Sequence, residues 1–357
     1  MTYREIDAVV IGGGQAGLSS AYHLRGHRVE FELLDHGSGP GGAWRDRWDS
    51  LLLGRTHRIH DLPGLPFGEP DPELPASVVV PAYFARYERT FDLPVRRPVD
   101  VTAVHRGAGG RLLVDTRSGP GYAARAVINA TGTWERPFVP WYPGRETFRG
   151  RQLHTAGYRS ADEFAGKHVV VVGGGASATQ LLAEISEVAT TTWVTRRPPV
   201  FREGPFTEDL GRQVVAEVDR RVRAGLPPGS VVSATGLVPT PAVRAAMARG
   251  VLHRYPMFSR ITPTGVAWAD GRAVAADVIL WCTGFRPALD HLAPLRLREA
   301  SGGIRVADTR ALAEPRLFLV GYGPSASTIG ANRAGRLAAR GVRDLLRAGA
   351  PVGSVID

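Results

Sequence analysis

The stretch IDAVVIGGGQAGLSSAYHLRG, residues 6–26, carries three signals in a fixed order. Ile6 to Ile11 is an apolar run of strand length, Gly12-x-Gly14-x-x-Gly17 follows it, and Leu18, Ala21 and Leu24 then recur at helical spacing. Glycines between a strand and a helix let the backbone approach a pyrophosphate, whose charge the helix N-terminal amides receive. A second strand pattern, VEFELLD, ends on Asp35, 18 residues past Gly17, where a carboxylate accepts from ribose hydroxyls. Gly12, Gly14, Gln15, Ala16, Gly17 and Asp35 are therefore expected to contact one dinucleotide.

The plan recurs. HVVVVGGGASATQLLAEI, residues 168–185, again reads as strand, glycine turn and helix, with Gly173, Gly175, Ser177 and Ala178 in the turn and an alanine at the third fingerprint position. The strand after it, TTTWVTRR, ends in Thr195, Arg196 and Arg197, so two guanidinium groups stand where the first half has an acid. An acid repels a ribose 2′-phosphate and arginine clamps it, so the first site suits FAD or NAD and the second NADPH, with NADH also admitted. Each half then closes on a similar phrase, VINATGTW with Thr131 and Gly132, and VILWCTGFRP with Thr283 and Gly284.

Two comparable runs of the same elements predict an internal duplication, hence an α/β fold of two Rossmann-like domains. Pro-rich WERPFVPWYPG (134–144) and GFRPALDHLAP (284–294) read as the crossings between them. The expected division is a FAD-binding domain from residues 1–150 and 285–357, with an NADPH-binding domain, 151–284, inserted. RLFLVGYGPSASTIGANRAGRLAARGVRDLL, with a strand, a turn and a long helix, completes the first domain in this reading. Val214, Val218 and Val222 make one stripe of a surface helix.

Composition narrows the classes. A length of 357 residues favours two cores over one. Cys282 is the only cysteine, which excludes a Cys-x-x-Cys redox pair and a thiolate metal cage, and no metal site is expected. The formal charge of +10 comes from scattered arginines with Lys167 as the sole lysine, a pattern without a nucleic-acid surface. No apolar run reaches membrane-span length and a strand pattern begins within six residues of the start, so the expected address is the cytoplasm, with no membrane partner; a homodimer is compatible.

Between the duplicated units lies FRGRQLHTAGY, residues 148–158, spelling Phe148-x-Gly150-x-x-x-His154-x-x-x-Tyr158. Together with GGGQAG (12–17), GGAWRDRW (41–48), GGGASA (173–178) and the two closing phrases, it makes the chain resemble the flavin-containing monooxygenases in their smaller bacterial form. The resemblance covers most of the chain. It implies FAD and NADPH as cofactors and a C4a-(hydro)peroxyflavin that oxygenates a small organic substrate with molecular oxygen, at a soft sulfur or nitrogen or at a ketone. It places Gly42 and Trp44 beside the flavin, sets Thr328 at a helix whose N-terminal amides face the pyrimidine oxygen, and marks His154, with Trp48, His57 and Arg58, as candidates for catalytic roles; His154 is expected to organise the junction rather than act as a base.

Two departures shape this reading. The signature ends in Tyr158-Arg159, without the Trp-Pro or Trp-Asp of dedicated Baeyer–Villiger enzymes. Laid against the family's SNTS-like stretch, WDSLLLGRTHR puts Gly54 at the place of an asparagine, with Arg55, Thr56, His57 and Arg58 as substitutes. Alternative readings are an NAD(P)H oxidase or electron-transfer flavin reductase, which Gly54 favours, and a flavin-binding sensor without catalysis.

Overall fold

The computed structural model describes residues 2–56, 59–202, 208–229 and 236–348. From the N-terminus run β1 (Tyr3–Ile11), α1 (Gln15–Gly26), β2 (Phe31–Leu34), α2 (Ala76–Thr90), β3 (Val95–Arg96), the hairpin β4 (Val101–Arg106) and β5 (Leu112–Thr116), and β6 (Gly121–Asn129). β1 lies between β2 and β6, parallel to both. Ala8 and Val10 face one core and Val9 and Ile11 the other, so the strand is apolar from Ala8 to Ile11 because both faces of a parallel sheet are covered there.

The chain then enters a second sheet. β7 (Arg151–His154), β8 (His168–Val172), α3 (Ala176–Ile185), β9 (Thr190–Thr195), α4 (Glu208–Arg223), α5 (Pro241–Ala248), β10 (Arg254–Pro256), the antiparallel β11 (Arg260–Thr262), β12 (Gly265–Ala267) and β13 (Ala273–Ala275), and β14 (Val278–Trp281) follow in order. Five of these strands form a parallel sheet in the order β10-β9-β8-β14-β7. The last segment, β15 (Val306–Ala307), β16 (Arg310–Ala311), β17 (Leu317–Leu319) and α6 (Thr328–Ala348), returns to the first sheet, where β17 pairs in parallel with β6. α6 packs on α1 through Ala334, Ala338 and Val342 against the core that holds Leu18 and Leu24. A Cβ on Gly335 would lie 2.7 Å from Ser19 Oγ, so glycine permits that close helix contact.

The two crossings run side by side. Phe138 N–H donates to Gly284 O, Ala288 N–H to Gly132 O and Arg286 N–H to Arg136 O, which ties the outgoing and returning segments into a short ribbon. α4 packs by its valine stripe, with Val218 and Val222 buried, and Val222 lies in the core of the first sheet with Leu289 and Ile304. Its helix, inserted between second-sheet elements, thus braces the other half; the side chain of Val214 lies outside the described residues.

Candidate active site

The strand β1 delivers Gly12 at φ +103°, a conformation open to glycine and hostile to side chains, and a Cβ there would lie 2.6 Å from Ala130 O. A Cβ on Gly17 would lie 1.9 Å from Gly12 O, so α1 sits directly on the turn. Around Gly14 nothing lies within 4 Å of an added Cβ. α1 begins after Gly14 with no side-chain cap and no acid in its first turn, leaving its amides for an anion. These features fit the pyrophosphate of a dinucleotide.

The second turn repeats the arrangement at its first two glycines. Gly173 has φ +145°, and its Cβ would lie 2.2 Å from Cys282 O; Gly175 faces open space, and α3 starts after it uncapped and without acids. Ala178 is fully buried at the third position. Each first glycine donates its N–H to the end of the next strand, Gly12 to Leu34 O at 2.8 Å and Gly173 to Val194 O at 2.9 Å. Ala130 and Cys282 close the two units in the same way, donating to Ile11 O and Val172 O.

The units differ where the ribose belongs. Asp35 is buried and accepts from Arg97 Nε, and Arg97 also makes a two-pronged pair with Glu88 at 2.7 Å. One guanidinium therefore serves two carboxylates, and Asp35, expected as a ribose acceptor, already spends one oxygen on an internal partner. Arg196 and Arg197, by contrast, stand exposed just past β9. Thr195 is buried and bonded within the protein: its hydroxyl donates to Arg197 O and accepts from Arg254 Nε at 2.7 Å. Arg254, on the neighbouring strand β10, is a third guanidinium at this strand end that sequence spacing could not reveal, since 58 residues separate it from Arg196.

Both turns open on one cleft of about 2570 Å³, lined by Gly14, Gln15, Ala16, Gly42, Trp44, Gly175 and Ser177 among others. This exceeds the ~300–1,000 Å³ of a pocket for one drug-sized ligand. Thr131 reaches its wall with its hydroxyl donated to Ala288 O at 2.7 Å, and Gly132 adopts φ +64° beside it. Ser327 and Gly330 also line the cleft, and Ser327 Oγ accepts from Gly330 N–H, so the α6 terminus that begins at Thr328 has one of its amides satisfied internally.

The signature segment forms the joint between the sheets. His154 Nδ1 accepts from Ala156 N–H at 3.1 Å, so the ring proton sits on Nε2, which donates to Gly284 O at 3.0 Å. Burial holds its pKa below the usual imidazole range. With both nitrogens engaged, His154 has no lone pair left for a substrate proton, and it ties β7 to the returning crossing. Its ring meets Phe285 edge-on, and Phe285 stacks on Trp134 at 4.9 Å, so one aromatic wall joins the signature to both crossings. Trp48 is buried against Tyr158 at 5.7 Å, while Tyr158 and Ser50 both donate to Glu184 Oε1, at 2.8 and 2.6 Å. Trp48 thus packs between the halves and also borders the cleft.

Gly54 has a packing reason to lack a side chain: its Cβ would lie 2.9 Å from Pro72 Cβ, so an asparagine there would strike the Pro-rich loop. Arg55 and Thr56 do line the cleft. His57 and Arg58 lie outside the described residues. Arg47, which sequence reading passed over, sits in the cleft wall with its guanidinium 4.2 Å from the Trp134 ring.

Residues 9–226 match the family model described as pyridine nucleotide-disulphide oxidoreductase. A solved doubly substituted flavin monooxygenase from Stenotrophomonas maltophilia is 42% identical, with a TM-score of 0.83, over 97% of this chain and 100% of that one. The chain belongs to the pyridine nucleotide-disulphide oxidoreductase family and, within it, to the flavin-containing monooxygenases. Membership makes it a flavin-dependent oxidoreductase that works with a nicotinamide cofactor. Among curated relatives, this family member is 30% identical over 195 residues to the uncharacterised oxidoreductase CzcO of Bacillus velezensis, spanning 55% of this chain and 56% of that protein. It is 34% identical over 180 residues to the rice (Oryza sativa subsp. japonica) indole-3-pyruvate monooxygenase YUCCA1, spanning 50% of this chain and 44% of that one. The matched segments thus span about half the length of these curated relatives. No described helix is long and apolar enough to cross a membrane.

Proposed function

We propose that the chain is a FAD-dependent, NADPH-consuming monooxygenase that forms a C4a-(hydro)peroxyflavin and oxygenates a small organic substrate at a soft sulfur or nitrogen. The observation that carries this reading is the pair of glycine turns opening on one shared cleft, Gly14 and Gly175 each facing open space and Thr155 of the signature segment lining the cleft with Trp134 and Phe285. In this reading the α1 turn and Asp35 hold FAD, and the α3 turn with Arg196 and Arg197 holds NADPH. When bound, the reduced flavin supplies the activation of oxygen.

The protein's own share is placement and exclusion of water. Trp134, Phe285 and Trp48 present apolar surface around the junction, and His154 and Glu184 hold the two halves in register through neutral and charge-assisted hydrogen bonds. A dithiol route, which the family name suggests for some members, is closed to this chain: Cys282 has no second cysteine to pair with, and full burial pushes its thiol up to about 12.

The test is a coupling measurement. Enzyme supplied with NADPH, oxygen and an organic sulfide or tertiary amine is expected to consume NADPH with matching formation of the S- or N-oxide and little hydrogen peroxide. Hydrogen peroxide in stoichiometric yield with every sulfide, amine and ketone offered would identify an NAD(P)H oxidase instead.

A further inference from the structure

Arg47 is a half-buried cation with nothing to neutralise it among the described residues. Its Nε is buried and has no hydrogen-bond partner, and no ion pair to its guanidinium occurs among the described residues. Burial alone lowers its pKa, to about 10, with no neighbouring charge contributing. The acids that line the same cleft are engaged elsewhere: Asp35 with Arg97, Asp100 with Arg117, Glu135 with His36, Asp290 with Arg136, and Asp219 and Asp308 with Arg223. Asp46, the remaining acid of the lining, is exposed and makes no ion pair with it. A guanidinium whose Nε is buried without an anion is costly, and an anionic ligand that reached it would relieve that cost.

Its surroundings say what kind of ligand. The ring of Trp134 lies 4.2 Å from the guanidinium carbon and that of Trp44 5.7 Å from it, so stacking occupies a face of the group. The N–H edge remains, and that edge matches the two oxygens of a planar oxyanion. The phosphates of two dinucleotides already have places at the α1 and α3 N-termini and at Arg196 and Arg197. Arg47 instead stacks on Trp134, whose other ring contact is Phe285 of the returning crossing, and so belongs to the aromatic wall where the crossings meet.

We propose that Arg47 anchors the carboxylate of an organic-acid substrate, whose apolar part packs against Trp44 and Trp134. The assignment rests on the monooxygenase reading for its substrate role, and it narrows the substrate class from any soft nucleophile to one that also carries an acid group.

The experiment reads binding without turnover. Oxidised holoenzyme, with no NADPH present, is titrated with phenylacetate, 3-phenylpropionate and their uncharged amides, following flavin absorbance and tryptophan fluorescence. The acids are expected to bind at least about tenfold more tightly than the amides, and Arg47→Met to weaken the acids by about tenfold or more while leaving amide binding and flavin content unchanged. Arg47→Lys should recover part of the loss, because the charge returns without the two-pronged edge. Equal binding of acids and amides, no binding by either acid, or an equal loss of both classes in Arg47→Met would overturn the proposal. A flavin-free Arg47→Met, or one whose KM rises about tenfold for NADPH and NADH alike with acid binding intact, would assign the oxyanion to a cofactor and overturn it too. Because no oxygenation is needed, tight acid binding by an enzyme that yields only hydrogen peroxide would sink the monooxygenase reading and leave the Arg47 site standing.

Discussion

Gly12 and Gly173 lie in the same backbone trap: each sits at positive φ, each donates to the end of the following strand, and each presses on the carbonyl that closes its own unit. The two halves part company one layer further out. Around the first turn the charges are largely buried and paired internally, with Arg97 holding both Asp35 and Glu88. Around the second, Arg196 and Arg197 reach into solvent. On the proposed reading, the duplicated backbone receives a phosphate in both halves and the residue past the next strand differs in how it meets the ribose end. A buried, internally paired set suits a cofactor that stays; exposed guanidinium groups suit one that binds and leaves each cycle.

The comparison breaks first at the third fingerprint position. Gly17→Ala would drive a Cβ to 1.9 Å from Gly12 O, so flavin is expected to be absent from the purified protein, measured by its visible absorbance. Next in size is Arg97→Ala, which strands two buried carboxylates and should cost about 3–5 kcal/mol in a denaturant melt, with flavin loss at lower denaturant than in the parent.

Acid should also strike the first half. His291 donates to Asn129 Oδ1 at 2.6 Å, and burial brings its pKa down to about 4, against ~6.5 in the unfolded chain. Between those values the folded state binds fewer protons than the unfolded one. The stability is therefore fully present above pH ~6.5 and is lost as pH falls toward 4, by up to about 3 kcal/mol; His291→Gln should flatten that part of a stability-against-pH curve.

The second half gives smaller effects. Arg196→Ala should raise the KM for NADPH by roughly tenfold and leave that for NADH nearly unchanged, since only the former carries a 2′-phosphate; an equal change in both would refute the 2′-phosphate assignment. Smallest is Ala178→Gly, the reciprocal of the first substitution. Room already exists at that position, so the expected cost is only the helix propensity difference of about 1 kcal/mol, read from the thermal midpoint with the KM for NADPH unchanged.

The duplication, both turns, the order of strands around them and the return of the chain to the first sheet were legible because each rests on local spacing: a strand's apolar run, glycine at positions where a side chain collides, and helical recurrence after it. Gly54 shows the limit of that method. Alignment treats its missing side chain as a lost hydrogen bond to the flavin, whereas Pro72, 18 residues away, occupies the space. Val222 shows it again, since a helical stripe says that a face is buried and not which sheet buries it.

By itself, then, the sequence determined where the two glycine turns lie, because collisions between a glycine and its own closing strand are written into short-range spacing. The tertiary structure alone decided the charge pairing: that Asp35 is spent on Arg97, that His154 has both nitrogens bonded, that Arg254 joins Arg196 and Arg197, and that Arg47 meets no counterion among the described residues. Electrostatic pairing depends on distances of a few ångströms between groups far apart in the chain, and on how much water each retains, and neither quantity has a period that a sequence can display.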